Sequence, residues 1–195
     1  LFSVLVFYIS DILWGPLYDL KIPQLAFIET SIFFIAMSVS VLVWTRYVIV
    51  YINENRLFLM ILKFIGFLFA SAQIIVVIIN FFTPIAFKFE ADGTYQTGIA
   101  RNLNLMFQSI MFFIVVIYMI YYALHSTGNV RRRHRAIAIF SATMATLIIL
   151  QIYFPFLPFY SAGYMLGTCL LHTFVLEDEK EARREQLESM IQIEK

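Results

Sequence analysis

The chain has 195 residues, of which 61% are hydrophobic, 17% aromatic and only 14% charged, with a mean hydropathy of +0.81 and a net charge of +1. Soluble domains carry about a quarter of their residues charged, so an ordinary water-soluble globule is excluded, and the near-neutral balance gives no reason to expect a nucleic-acid partner. The charges are also segregated: 11 of the 27 Asp, Glu, Lys and Arg residues lie in the last 19 positions, which divides the chain into a membrane domain, 1–176, and a charged extension, 177–195.

The first apolar segment starts at Leu1 with no basic region before it, and reads as a truncated membrane helix rather than a signal peptide. It extends to about Trp14, where Trp14-Gly15-Pro16 breaks it. It contains Asp11, and an ionisable side chain facing lipid costs ~2.5–3.5 kcal/mol. Asp11 is therefore expected to face the bundle interior, with Trp14 and Tyr18 as interfacial anchors. Segment two runs from about Gln24 to Tyr51, with Glu29 near its start and Arg46 near its end. Segment three, Leu57 to Phe82, holds Lys63 where a long stem reaches the headgroups.

Strand character occurs once. Phe87-Lys88-Phe89-Glu90 alternates apolar and charged residues, Asp92-Gly93 supplies a two-residue tight turn, and Thr94-Tyr95-Gln96-Thr97 returns. A small β-hairpin over about 86–97 is expected, lying on the membrane surface. Segment four, Asn102 to about Leu124, ends at His125-Ser126-Thr127-Gly128, and a basic loop Arg131-Arg132-Arg133-His134-Arg135 follows. Segment five is Ala136 to Phe154, stopped by Pro155-Phe156-Leu157-Pro158. Segment six, Phe159 to Leu176, is an uncharged run of 18 residues, about the length that crosses a bilayer core. It passes with no Gly or Pro into Glu177-Asp178-Glu179-Lys180-Glu181-Ala182-Arg183-Arg184-Glu185, strong helix formers throughout. One rod thus leaves the membrane and continues into water.

The expected fold is all-α: a polytopic transmembrane bundle of about six crossings, the first truncated, with an extracellular hairpin and a C-terminal cytoplasmic signalling helix. Orientation follows from the positive-inside rule. With the Arg131 to Arg135 cluster in the cytoplasm, Arg46, Arg56 and the extension lie inside, whereas the hairpin, the Trp14 to Pro23 loop and Pro155 to Pro158 lie outside. The cluster is also a candidate site for anionic lipid.

In this orientation Asp11, Glu29, Gln73, Asn80, Asn104, Gln108 and Gln151 all fall in the outer halves of their segments, and Arg101 extends the Asn104–Gln108 stripe outward. Polar groups at one depth in five segments point either to a ligand pocket open to the outside, under a lid of Phe87, Phe89 and Tyr95, or to mutual hydrogen bonding between helices. His125 and His172 lie at similar depth, the minimum for a bis-histidine haem site, although a histidine capping a helix end is commonplace. Retinal would need a lysine inside the last helix, and no Cys pair or His/carboxylate motif suggests a metal or a nucleophile. No cofactor and no catalytic residue is expected. The single Cys169 reads as a small packing residue. Gly163 and Gly167 form a GxxxG that admits another backbone, from a second copy or from a neighbouring helix. In the extension Leu176, Leu187 and Met190 approach heptad spacing, interrupted by Lys180 and Arg183.

Three stretches together resemble the multi-helix membrane sensor regions that precede GGDEF-type diguanylate cyclase domains, and less often histidine kinase modules, in bacterial signalling proteins. They are Leu13-Trp14-Gly15-Pro16-Leu17-Tyr18-Asp19, Asn80-Phe81-Phe82-Thr83-Pro84 with the Phe89-Glu90-Ala91-Asp92-Gly93-Thr94-Tyr95 hairpin, and Gly163-Tyr164-Met165-Leu166-Gly167-Thr168-Cys169-Leu170-Leu171-His172-Thr173-Phe174. The resemblance covers almost the whole chain and implies a homodimer in the bacterial inner membrane, joined through the last helix, with c-di-GMP synthesis carried out beyond Lys195. The family's ligands are unassigned, so it carries no binding residue across. The expected function is a sensory input module for an unknown small molecule or a membrane-borne stimulus; a small transporter is the alternative from a different class.

Overall fold

The long uncharged runs fold as helices because a backbone away from water must satisfy its own hydrogen bonds. The computed structural model describes residues 2–51 and 56–193. Along them lie α1 (Phe2–Asp19), α2 (Pro23–Tyr51), α3 (Arg56–Asn80), β1 (Phe87–Phe89), β2 (Tyr95–Thr97), α4 (Ile99–His125), α5 (Gly128–Tyr153) and α6 (Phe159–Ile193). Among the described residues four helices, Pro23–Val50, Arg56–Asn80, Ile99–His125 and Gly128–Tyr153, are long and apolar enough to cross a membrane. Their outward faces are apolar too, as at Phe64, Phe67, Ile75 and Ile78 of α3 and Ile117 and Leu124 of α4, all more than half exposed. Such a surface matches lipid rather than water.

Neighbours in sequence pack together, α1 on α2, α2 on α3, α4 on α5 and α5 on α6, and α1 also meets α6. The core is sealed by aromatic contacts. Trp44 of α2 lies 4.6 Å from the Phe112 ring of α4 and stacks on Phe140 of α5 at 5.7 Å, and Phe58 of α3 stacks on Tyr118 of α4 at 3.6 Å. Helix α2 is lined with small residues where others approach it, including Ala36, Ser38, Ser40 and Thr45, all buried. Ser38 and Thr45 return their hydroxyls to the Ile35 and Val41 carbonyls at 2.8 Å, whereas Ser40 Oγ is buried without a partner.

Several boundaries differ from the sequence expectation. Helix α1 is not broken at Trp14-Gly15-Pro16 but continues to Asp19. The residue before a proline normally leaves the helical region because its Cβ meets the ring, and Gly15 has none. The ring forfeits one hydrogen bond, while Trp14 stacks on Tyr18 across that turn at 5.1 Å. The helix ends where Lys21 turns to φ +52. The basic cluster is not a loop either: α5 begins at Gly128 and carries Arg131 to Arg135 in its opening turns, as suits a good helix former. Helix α4 starts at Ile99 rather than Asn102, because the Ala100 amide bonds the Ile85 carbonyl at 3.1 Å and fixes the chain before the apolar run. Helix α3 stops at Asn80, whose side chain is engaged by the hairpin.

Strands β1 and β2 pair antiparallel with Phe87 opposite Thr97 and Phe89 opposite Tyr95. The turn is not a two-residue one. Gly93 N bonds Glu90 O and Glu90 N bonds Thr94 O, both at 2.9 Å, and Gly93 has φ +87. This makes a three-residue loop closed by a left-handed glycine. The hairpin caps the bundle. Phe87 is fully buried and stacks on Phe34 at 5.5 Å, and the Asn80 side chain clamps the strand by accepting from Ala86 N (2.8 Å) and Phe87 N (3.3 Å) and donating to Phe87 O (3.0 Å).

Helix α6 is a single α-helix of 35 residues from Phe159 to Ile193, uninterrupted at Leu176. At 1.5 Å per residue it spans roughly 52 Å. Gly163 and Gly167 face α5 of the same chain: a Cβ on Gly167 would lie 2.1 Å from two ring carbons of Phe140, and one on Gly163 3.0 Å from Met144 Sδ. Cys169 is exposed rather than packed, because the α5-facing side of α6 is taken by the two glycines. Leu176, Leu187 and Met190 fall outside the described side chains.

Candidate functional site

Three connections meet at the hairpin end of the bundle: the end of α1, the hairpin, and the Pro155 to Pro158 link between α5 and α6. Aromatic rings join them. Tyr95 stands edge-on to Trp14 at 5.8 Å, and Phe156 lies 6.1–6.2 Å from Trp14, Tyr18 and Tyr95. Beneath these rings is a cavity of about 290 Å³, at the lower end of small-molecule sites. Helix α1 contributes Asp11, Trp14 and Gly15; α2 contributes Thr30, Phe33, Phe34 and Met37; the hairpin contributes Tyr95. Arg101 and Leu105 come from α4, Gln151 from α5, and Tyr160 and Ser161 from the first turn of α6.

Of the eight candidate ligand-binding residues, Asp11, Arg101 and Gln151 line this cavity. Gln151 holds structure there, donating to Pro155 O and accepting from Tyr160 N, each at 3.1 Å, so its amide fixes the turn into α6. Arg101 is 5% exposed, and its guanidinium donates to Gln151 O at 3.1 Å and to Asn102 Oδ1 at 3.0 Å. Glu29 lies one residue behind the wall: Thr30, which lines the cavity, donates to Glu29 Oε2 at 3.4 Å, and Oε1 has no partner. Asn80 is the hairpin clamp. Gln73 is buried on α3, and Gln108, wholly buried on α4, has no partner for either amide atom. Asn104 Nδ2 is likewise buried without a partner. These last four do not line the cavity, so the polar groups at one depth do not form one pocket.

Two features of the cavity carried no periodic signal. Ser161 Oγ and Tyr160 OH are buried and unpartnered. The walls at Pro155, Phe156 and Pro158 come from a link rather than a helix. Tyr95, one of the three aromatics anticipated as a lid, is buried, and that burial pushes its phenol above the ordinary value, with Arg101 pulling the other way.

His125 is exposed, with Nδ1 2.8 Å from Tyr121 O and its ring 4.6 Å from the Tyr121 ring, and His172 is also exposed. Neither ring is in a pocket of the kind that holds haem. No cluster of three or more His, Cys, Asp or Glu suited to a metal occurs among the described residues. Compared with known proteins, the chain matches no family model, no curated protein and no solved structure.

Proposed function

We propose that the chain is a membrane-embedded sensory input module in which a small molecule entering the hairpin-end cavity shifts α6, and α6 passes the shift to a cytoplasmic output domain. One observation carries this: Tyr160 and Ser161, which wall the cavity, belong to the first turn of the same unbroken helix that runs to Ile193. Any ligand that changes how those two residues sit acts on one end of a rod roughly 52 Å long.

In this reading α1 and α6 also cross the bilayer, giving six crossings, with the cavity facing outward and the Arg131 to Arg135 end in the cytoplasm. The motif resemblance makes a GGDEF diguanylate cyclase the preferred output, a homodimer through α6 the preferred assembly and the bacterial inner membrane the preferred location. The energy required is modest, because a ligand that favours one of two states by a few kcal/mol moves most of the population. A transporter would need access from both ends, whereas this cavity sits under the loops at one end.

The test is a fusion of the full chain to a diguanylate cyclase domain, compared with the same fusion carrying two extra residues after Arg184. Two residues turn the downstream helix by about 200°. The proposal expects turnover to change by several-fold or its regulation to be lost; unchanged, still regulated turnover would overturn it.

A further inference from the structure

Arg101 stands where a cation is poorly placed. It is the third residue of α4, so it meets the positive end of that helix dipole, and Gly98, at the N-cap, offers no side-chain cap to the first turn, where the Ala100 amide bonds the Ile85 carbonyl. It is also 95% withdrawn from solvent. Buried guanidinium groups are ordinarily matched by a carboxylate. No described carboxylate lies within 4.0 Å of Arg101. Its two described hydrogen bonds go to a carbonyl and an amide oxygen, which use two of its five N–H donors.

The rest of the cavity adds to this imbalance. Tyr160 OH and Ser161 Oγ, each at least 94% buried, line the same space; the first has no partner, and the second faces the Asp11 carboxyl without a hydrogen bond within 3.5 Å. The remaining wall is mainly aromatic, with Trp14, Phe33, Phe34 and Phe156, and the one carboxyl in it, Asp11, faces Ser161 and lies beyond ion-pair distance of Arg101. We infer that the cavity takes a small amphipathic anion, a carboxylate on a ring-sized apolar body, with the carboxylate on Arg101 and the ring among Trp14, Phe33 and Phe34. A carboxylate accepts two parallel N–H bonds from a guanidinium and supplies the negative charge that the start of α4 lacks. The aromatic walls bury the body, as is usual for sites of this size. A lipid phosphate is a poor match, because its two acyl chains exceed a cavity of about 290 Å³. The inference names the ligand class of the proposed sensory site and rests on that reading only for its consequence at α6.

Phenylacetate and phenylacetamide, equal in shape and different in charge, are the probes. Their binding to the full chain in lipid nanodiscs is followed by quenching of Trp14 fluorescence, with Trp14→Phe as the background from Trp44. The wild type should bind phenylacetate at least about tenfold more tightly than phenylacetamide, the worth of a charge-assisted pair. In Arg101→Gln the two should bind within about twofold of each other, and Arg101→Lys should fall between. Equal affinities in the wild type, a ratio that survives Arg101→Gln, or no saturable binding of phenylacetate each overturns the inference; the wild-type ratio decides even if a variant folds poorly. Adding the same probes to the cyclase fusion separates the two proposals. Charge-selective binding without a change in turnover removes the sensory reading and leaves the anion site, whereas charge-blind binding with a change in turnover does the reverse.

Discussion

Replacing Gly167 by alanine tests how closely α6 is seated. The added Cβ would lie 2.1 Å from Phe140 Cδ2 and Cε2, about 1.3 Å inside the 3.4 Å at which ordinary contact begins. The ring has nowhere to swing. It is 1% exposed, stacks on Trp44 at 5.7 Å with an interplanar angle of 15°, and meets Tyr164 edge-on at 6.2 Å. Either α6 lifts from α5 or the aromatic cluster repacks, and overpacking of this kind costs about 1–3 kcal/mol. Gly163→Ala is the control: its Cβ meets Met144 Sδ and Leu147 Cδ1 at 3.0 Å, the mobile ends of two flexible side chains, so the cost should stay below about 1 kcal/mol. The assay is equilibrium unfolding of the full chain by SDS titration in mixed micelles, and Phe140→Leu should partly rescue Gly167→Ala with a coupling of about 1–2 kcal/mol. Gly167→Ala within about 0.5 kcal/mol of wild type, or equal costs at the two glycines, would refute the seating of α6 on Phe140.

The hairpin offers three further checks. Asn80→Ala removes the clamp on Ala86 and Phe87 and leaves buried backbone groups unpaired; a loss of about 2–4 kcal/mol and faster amide exchange at both residues are expected, and unchanged exchange would contradict the clamp. Gly98→Ala would bring a Cβ to 2.1 Å from the Ile85 carbonyl oxygen, backbone that cannot step aside, so the Gly98 N to Ala86 O bond (2.7 Å) should weaken and exchange at Gly98 should rise. Asp92 is held below the usual carboxylate range by its hydrogen bonds to Thr94, with Thr94 N donating to Oδ1 at 2.9 Å. A depressed folded value means that this contribution is present above the ordinary aspartate range and is lost as pH falls through the folded value. The Thr94 amide shift in NMR should therefore titrate below the ordinary aspartate range, and a midpoint at or above it would count against the capping bond.

What was legible in the sequence followed physical periodicity. Uncharged runs gave helices, and the alternation at Phe87 to Glu90 with a glycine three residues on gave the hairpin, because each pattern reports which side of one element meets which solvent. What was not legible lay where several elements meet. Asn80 looks in sequence like any polar residue in an apolar run, and only the returning strand shows that its amide is occupied by backbone. Pro16 reads as a breaker until Gly15 is seen to remove the clash that breaks helices. Arg101 reads as the outward end of a polar stripe, but that no described carboxylate comes within 4.0 Å of it is a fact of three-dimensional packing. The walls at Phe156, Tyr160 and Ser161 come from a proline-bounded link and a first helical turn, which have no repeat to read. The neighbour of Gly163 and Gly167 was left open between a second copy and the same chain, since a GxxxG sets how close a backbone can come and not whose backbone it is.

The central claim is mechanical: the helix that walls the cavity continues as one rigid piece through the end of the apolar region. With Cys169 replaced by serine, spin labels at Met165 and Arg184, both exposed on α6, should give one narrow distance distribution near about 28 Å, the span of 19 helical residues, when the labelled full chain is diluted into excess unlabelled chain in lipid nanodiscs so that only distances within one copy are read. A broad or two-peaked distribution, or one centred well below that length, would place a hinge between the membrane part and the extension and contradict the account.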